Sequence, residues 1–444
     1  MSSDINIIYD MAKKAQKAAE RSGADEVEVF GLMASSVNVD IQLDRIDLAK
    51  ESFLKGIGVK AIVNGAVGFS STNDPARIID AAKSATSSAR VRHSDPDWTG
   101  LPQACEYRAV NGIHDPRIAN IDVETCIDLT MKMIDGAVSL DDARPTSGKF
   151  TCLGSDYVIL NSNGVEVREA STRIDGFIEC RAGDGDKMST AYEFDLSRNF
   201  DIDFYRIGSE AARQALEGVG GAGVDTCKTD VLLKPSAIAD ILESTFLNSL
   251  NSENIQKGRS ALAGKLGEKI GADGLDIVDD GLLEGGIGSA RSDDEGTPSR
   301  TNRILENGVL GTYLYDKYTA GKDGVESTGS AVRGNYAQTT CIDVRNLKIE
   351  YPASDIIAET QKGVLVGSVI GAHTANPISG DFSVEARNSF LVENGGVGRP
   401  IRSMMVTGNV FELLQNICGA GRDTRVLGNI ITPTVKVSGL KIVG

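Results

Sequence analysis

The chain has 444 residues, 41% of them apolar and 24% charged, and a formal net charge of −16. That length exceeds one compact core, so two or three domains are expected, with the composition of an ordinary soluble globular protein. The 46 basic residues are scattered among 62 acidic ones, which argues against nucleic acid as a partner because phosphate tracking needs clustered Lys and Arg.

The first predicted element is a helix over 4–22. Ile5, Ile8, Ala12, Ala15 and Ala19 recur at three- and four-residue steps, and Gly23 follows as a stop. Before it there is no basic segment leading into an apolar core, so no signal peptide is expected. The period then changes to two: in "SVNVDIQLD" (36–44), Val37, Val39, Ile41 and Leu43 alternate with polar residues, as in a strand buried on one face. A helix at 75–88 is predicted from Pro75 in the first turn after Asp74. A polar, proline-containing link (92–102) and a long helix near 121–140 come next. A further helix at about 203–217 ends in "EGVGGAGVD" (217–225), the best internal boundary. Gly218, Gly220 and Gly223 have GxGxxG spacing, but a dinucleotide loop follows a strand and opens a helix, and here the order is reversed. "GRSALAGKLG" (258–267) also fails as a phosphate loop, by one residue of spacing and by Leu266 after Lys265.

Asn-Gly pairs punctuate the chain at "VNGA" (63–66), "SNGVEV" (162–167), "ENGVL" (306–310) and "ENGGV" (393–397). Each supplies the positive-φ residues of a tight hairpin turn. Hairpins with a few helices between them imply an α+β protein. The expected plan is an N-terminal helix-and-antiparallel-sheet region, then a hairpin-rich C-terminal domain, barrel-like or sandwich-like, with segments 1–91, 92–217 and 224–444.

Seven cysteines sit far apart with no CxxC pair, which suggests reduced thiols and a cytoplasmic location. The longest apolar-rich run, "GVLVGSVIGA" (363–372), is far short of a membrane span. Only three histidines exist, His93, His114 and His373, in separate segments. "HSDPD" (93–97) could gather His93, Asp95 and Asp97 about a metal, but it reads better as a solvated turn. "VDDGLL" (278–283) and "SDDEGTPSR" (292–300) bring carboxylates close together, as a hard-metal site or an acid pair would need. Their turn chemistry favours solvated turns here too.

One stretch, "IADILESTFLNSLNSE" (238–253), looks like a helix laid beside a site. Ser236 is a suitable N-cap and Asp240 adds charge in the first turn. Ile238, Ile241, Leu242, Phe246 and Leu250 make an apolar stripe. Glu243, Ser244, Asn248, Asn251 and Ser252 make the polar face, which by itself requires nothing beyond solvation.

From about residue 220 onward the chain resembles the TldD/TldE (PmbA) family, also labelled "modulator of DNA gyrase". The resemblance rests on ordered blocks, among them "DDEGTPSRTNRILENGVLGTYLYDKYTA" (293–320), "STGSAVRG" (327–334) and "QKGVLVGSVIGAHTANPISGDFSVEARNSFLVENGGV" (361–397). The N-terminal half fits more loosely, through "GVKAIVNGAVGFSST" (58–72). It implies a zinc metallopeptidase family whose TldD-like members carry an HExxxH helix, two histidines binding zinc and the glutamate acting as general base. Counting back from Lys257, Glu243 stands in place of the first histidine, Ser244 of the glutamate and Asn248 of the second histidine. This implies the TldE (PmbA) branch: catalytic residues none, metal none, zinc in a TldD-type partner. The implied function is a non-catalytic, substrate-binding subunit of a heterodimer that trims unfolded peptides, including peptide-antibiotic precursors and antitoxins. A homodimer is expected when the chain is alone, and extended peptides are expected to add to a strand edge. Two other readings stand beside it: an autonomous hydrolase using the carboxylates of 279–295, and a non-enzymatic protein-binding regulator.

Overall fold

The computed structural model describes residues 3–444. Helix α1 (Ser3–Arg21) leads into a hairpin of long strands, β1 (Glu26–Gln42) and β2 (Arg45–Val63), and then β3 (Ala66–Thr72). Helix α2 (Ile78–Arg90) follows a 3-10 turn at Pro75–Arg77, whose start is capped by Asp74 accepting from the Ala76 N–H. After a short turn of helix, α3 (Pro116–Ala119), come α4 (Val123–Ala137), β4 (Ala143–Asn161), β5 (Glu166–Ala182), β6 (Ser189–Ser197) and α5 (Phe204–Glu217).

The six strands form one antiparallel sheet in the order β3-β2-β1-β4-β5-β6. Segments 1–91 and 92–217 therefore contribute three strands each to a single sheet. Its two faces follow from the two-residue period. On one side Val27, Val29, Val37, Val39 and Ile41 of β1, with Phe150, Val158 and Leu160 of β4, are buried under the apolar faces of α1, α2, α4 and α5. On the other side Glu28, Phe30 and Leu32 face residues 294–336 of the C-terminal domain: Phe30 packs with Tyr336, and Glu28 meets Arg333. Leu43, the last apolar position of the predicted strand, lies instead in the β1–β2 turn at φ +58°.

The C-terminal domain begins with β7 (Cys227–Leu233) and three short helices, α6 (Pro235–Ser244), α7 (Phe246–Leu250) and α8 (Ser252–Gln256). Next come β8 (Asp276–Asp280), β9 (Thr301–Glu306), β10 (Val309–Leu310), α9 (Lys317–Asp323), β11 (Ala331–Val332), β12 (Cys341–Ile342) and β13 (Leu347–Glu350). The chain then forms β14 (Lys362–Val366), β15 (Ser368–Ile370), β16 (Asp381–Arg387), β17 (Ser389–Glu393), β18 (Gly396–Ile401) and β19 (Met404–Asn409). It closes with α10 (Val410–Gln415), β20 (Ile417–Ala420), β21 (Arg425–Leu427), β22 (Ile430–Thr432) and β23 (Val435–Val443). A nine-stranded sheet, β15-β16-β19-β23-β7-β14-β17-β18 with β20 on β23, curls as a half-barrel. A smaller mixed sheet runs β10-β9-β8-β13-β22-β21. The fold is α+β, as the hairpin pattern implied.

Three of the four Asn-Gly pairs turn as expected: Asn64–Gly65, Asn307–Gly308 and Asn394–Gly395 all have positive φ and close hairpins. At 162–167 only Gly164 is left-handed, and the Asn161 side chain holds the turn by accepting from Asn163 and Val165. No helix among the described residues is long and apolar enough to cross a membrane.

Candidate functional site

The predicted helix 238–253 is three pieces. Its apolar stripe is where the periodicity put it, with Ile238, Ile241, Leu242, Phe246 and Leu250 all buried in the C-terminal core. The helix starts one turn earlier than 238, at Pro235, and Lys234 rather than Ser236 holds the N-cap position, without a side-chain cap. It breaks at Thr245, whose buried hydroxyl donates back to the Ile241 carbonyl at 2.5 Å and whose ψ of −62° accompanies a φ of −126°. A Ser or Thr that bonds the preceding turn competes with the helix ladder and bends it. Asn251 then caps α8 by accepting from the Glu253 N–H, while its own amide donates to the Ile342 carbonyl.

A cleft of about 650 Å³ opens between α6 and the last two strands of the first sheet. Asp240 and Glu243 of α6 face Arg173, Asp175, Phe177 and Glu179 of β5, and Tyr192, Phe194, Asp195 and Leu196 of β6. An adjoining cavity of about 480 Å³ shares Arg173, Leu196, Glu243 and Leu427 and is completed by Asn248 and Asn251. A third, of about 450 Å³, shares Arg173, Ile287, Val344 and Asn429 with the second and reaches Phe30 and Leu32 on the channel face of the sheet. Arg173 borders all three, and together these cavities, called the channel below, lie between the polar face of the first sheet and the C-terminal domain. Two of the three predicted site residues, Glu243 and Asn248, are exposed and line it. Ser244 is half-buried and is not among the residues described as lining these cavities.

The outer cleft is acidic. Asp175, Glu179, Asp195, Asp240 and Glu243 line it with one guanidinium, Arg173, which is paired with Asp175 at 2.8 Å, while Arg206 beyond the lining pairs with Asp195. Burial, with the neighbouring Glu243 adding, pushes Asp240 up to about 6. Phe177, Tyr192, Phe194 and Leu427 supply apolar wall. β6 ends the first sheet and β21 the smaller C-terminal one, and Arg425 of β21 bridges them by donating to Glu193 and to the Phe194 carbonyl of β6.

This surface does not fit a catalytic zinc. Glu243, Ser244 and Asn248 offer one carboxylate, one hydroxyl and one amide, where zinc takes imidazole, thiolate or carboxylate from three protein ligands. His93, His114 and His373 are all exposed, in the link after α2, the loop before α3 and the turn after β15. Among the described residues no group of three or more His, Cys, Asp or Glu could hold a metal ion. Within "HSDPD", Asp95 accepts from the Asp97 N–H and from the Tyr318 hydroxyl, as a turn docked on α9.

Three of the carboxylates of 279–295, Asp279, Asp293 and Glu295, are not solvated, contrary to the turn reading. Asp279 lies on β8 and Asp293 in a turn, both with no exposed surface, and Glu295 is 3% exposed. Long-range partners explain the burial. Lys60 of β2 reaches Glu28 at 3.4 Å and Glu295 at 3.2 Å, and Arg333 reaches Glu28 at 2.7 Å. Burial alone would raise Glu295, yet Lys60, the Lys317 N–H and the Thr340 hydroxyl hold it below its ordinary range. Burial and the Glu295 charge drive Asp293 well above its own. Asp279 rises to about 6 through burial, offset in part by the N–H groups of Arg345 and Asn346. Glu295 joins the C-terminal domain to the first sheet through Lys60, whereas Asp279 and Asp293 accept from N–H groups within the C-terminal domain. Nothing local in the sequence marks them, since Lys60 lies 235 residues from Glu295.

Three segments match the successive domains of one family: residues 27–89 the PmbA/TldA metallopeptidase domain 1, 116–219 its central domain and 226–444 its C-terminal domain. An uncharacterized protein of Methanocaldococcus jannaschii is 32% identical over 437 residues, covering 96% of this chain and 98% of its own. A metalloprotease PmbA homolog of Haemophilus influenzae is 24% identical over 97% of this chain and 94% of its own. The crystal structure of TldE from Thermococcus kodakarensis superposes with a TM-score of 0.90 at 26% identity, over 98% of this chain and 100% of that one. This chain belongs to the TldD/TldE (PmbA) metallopeptidase family.

Proposed function

We propose that this chain is the substrate-binding, non-catalytic subunit of a TldD/TldE-type peptidase, paired in the cytoplasm with a TldD-type subunit that carries the zinc. The observation that carries the reading is the α6–α7 surface. The resemblance puts the family's HExxxH helix on this stretch, which carries Glu243, Ser244 and Asn248 instead of two imidazoles and a general base, with Glu243 and Asn248 lining the channel. The channel suits an unfolded peptide: it is half apolar and bordered by β6 and β21, the last strands of their sheets, to which an extended main chain can add. N-methylation of alternate peptide nitrogens, which removes ladder donors, is expected to weaken binding; equal affinity would exclude edge addition.

Cleavage of an unfolded peptide tests the subunit assignment. This chain alone is expected to be inactive, the equimolar mixture with an HExxxH-bearing TldD-type subunit active, and a zinc chelator to abolish that activity. Cleavage by this chain alone would overturn the reading. The second reading, catalysis by the carboxylates of 279–295, finds no support in the surroundings of Asp279, Asp293, Asp294 and Glu295, which are held by backbone N–H groups or a buried cation.

A further inference from the structure

The inner part of the channel differs in charge from the outer cleft. Four guanidiniums line it, Arg173, Arg198, Arg333 and Arg345, against two carboxylates, Glu169 and Asp294. Glu169 is held by Arg291 at 3.0 Å and by the Tyr157 hydroxyl, and Asp294 accepts from the Arg333 N–H. Arg333 is paired with Glu28 and Arg173 with Asp175. That leaves Arg198 and Arg345, neither of which has a carboxylate within ion-pair distance among the described residues, although the Arg345 charge acts on Asp279, Asp293 and Asp294 from further away.

Both are fixed by the same loop. Arg198 donates to the carbonyls of Gly286, Ile287 and Thr172, and Arg345 to those of Gly288 and Ser292. Three consecutive carbonyls, 286–288, thus hold two guanidiniums side by side. Gly288 also lets the loop backbone pack against the backbone of Arg345, because a Cβ there would lie 1.9 Å from the Arg345 carbonyl oxygen. Arg345 is 6% exposed. A guanidinium has five N–H donors, so each arginine retains donors that no protein acceptor takes up. Buried charge is ordinarily paired, and parallel N–H groups match a planar carboxylate in a two-pronged contact. Burial, with Arg173 and Arg345 adding to it against Tyr157 and the nearby Glu169 carboxylate, pulls Arg198 down to about 10. An anion between the two arginines would relieve that repulsion.

We propose that Arg198 and Arg345 form a carboxylate site at the inner end of the channel, which takes the C-terminal carboxylate of an extended peptide. The proposal rests on the peptide-binding reading above and gives it a direction. The ammonium and any basic side chains lie toward Asp240 and Glu243, and the C-terminus lies toward the arginine pair. A polyphosphate or nucleic acid would match the arginines but would meet five carboxylates in the adjoining cleft, whereas a peptide zwitterion matches both ends.

The test uses the full-length chain and fluorescence anisotropy with a ten-residue alanine- and serine-rich peptide. Three forms are compared: the free acid, its C-terminal amide, and the amide with one internal glutamate. The free acid is expected to bind about tenfold or more tighter than the amide, and Arg198→Gln to reduce it to the affinity of the amide. Equal binding of acid and amide by the unaltered chain, which needs no variant, overturns the proposal. So does an internal-glutamate amide that binds as tightly as the free acid, because the site would then read side chains. Acetyl-alanine and its amide, followed by thermal melting, separate the two ideas. If acetyl-alanine alone raises the melting temperature and loses that effect in Arg198→Gln, while no ten-residue peptide binds, the arginine site stands and the peptide reading fails. If neither acetyl-alanine nor any peptide binds, the arginine site is excluded.

Discussion

Asp240 shows how a single side chain carries information about the cleft. Its carboxyl titrates at about 6 because burial and Glu243 both oppose its charge. A carboxyl raised on folding binds more protons in the native state than in the unfolded one across the interval between the two values. Stability therefore falls as pH rises from about 4 to about 6. Asp240→Asn removes that loss: its melting temperature is expected to exceed that of the parent at pH 7.5, and the advantage to vanish below pH 4. An advantage that is the same at both pH values would place its cause elsewhere. Glu28 is the opposite case. It is 1% exposed and bonded to Arg333 and Lys60, and the Arg333 guanidinium has no other ion-pair partner among the described residues. Glu28→Gln leaves a buried guanidinium uncompensated and is expected to cost about 3–5 kcal/mol in urea unfolding. Replacing Arg333 by Met as well should recover part of that loss, because the second substitution removes the stranded charge. A double variant as damaged as the sum of the singles would mean that the two side chains do not interact.

At the scale of elements, α1, α4 and α5 were legible because each couples an apolar repeat to a stop or cap signal. The 238–253 helix was legible in its stripe but not in its continuity. Ile241, Leu242, Phe246 and Leu250 keep helical spacing straight through the break, so periodicity cannot register the hydroxyl of Thr245 turning back to the Ile241 carbonyl. Glycines at helix crossings are equally silent in sequence. Gly136 of α4 and Gly208 of α5 face each other's helix so closely that a Cβ on Gly208 would lie 1.9 Å from the Met133 carbonyl oxygen, and one on Gly136 2.1 Å from that of Tyr205. Alanine improves helix propensity by about 1 kcal/mol, but overpacking a tight contact costs about 1–3 kcal/mol. Gly208→Ala is therefore expected to lower the urea midpoint. A raised midpoint would show that the helices can part at little cost.

For the whole molecule, the first sheet separates stability from binding by face. Period-two alternation gives one side to four helices and an apolar core, and the other to charged and aromatic residues that meet the C-terminal domain and enclose the channel. The sequence showed this alternation in β1 but not the channel, since β5, β6, α6 and the 427–430 turn meet only in the folded chain. Within the outer cleft, Arg173 pairs with Asp175, the Thr146 hydroxyl donates to Glu179, and Asp195 pairs with Arg206. Asp240 and Glu243 have no such partner among the described residues, and Glu243 is the more exposed. If this surface holds peptide while a partner subunit performs the chemistry, reversing one charge should alter affinity and leave turnover alone. Glu243→Lys, mixed with a TldD-type subunit, is expected to raise KM for a basic peptide about three- to tenfold, the scale of one exposed charge pair. The kcat should stay within about twofold. KM for an acidic peptide of equal length should fall, a sign change that a merely structural defect would not produce. A drop in kcat with KM unchanged would instead place Glu243 among groups that act on the transition state, and the surface would have to be read as part of the catalytic machinery.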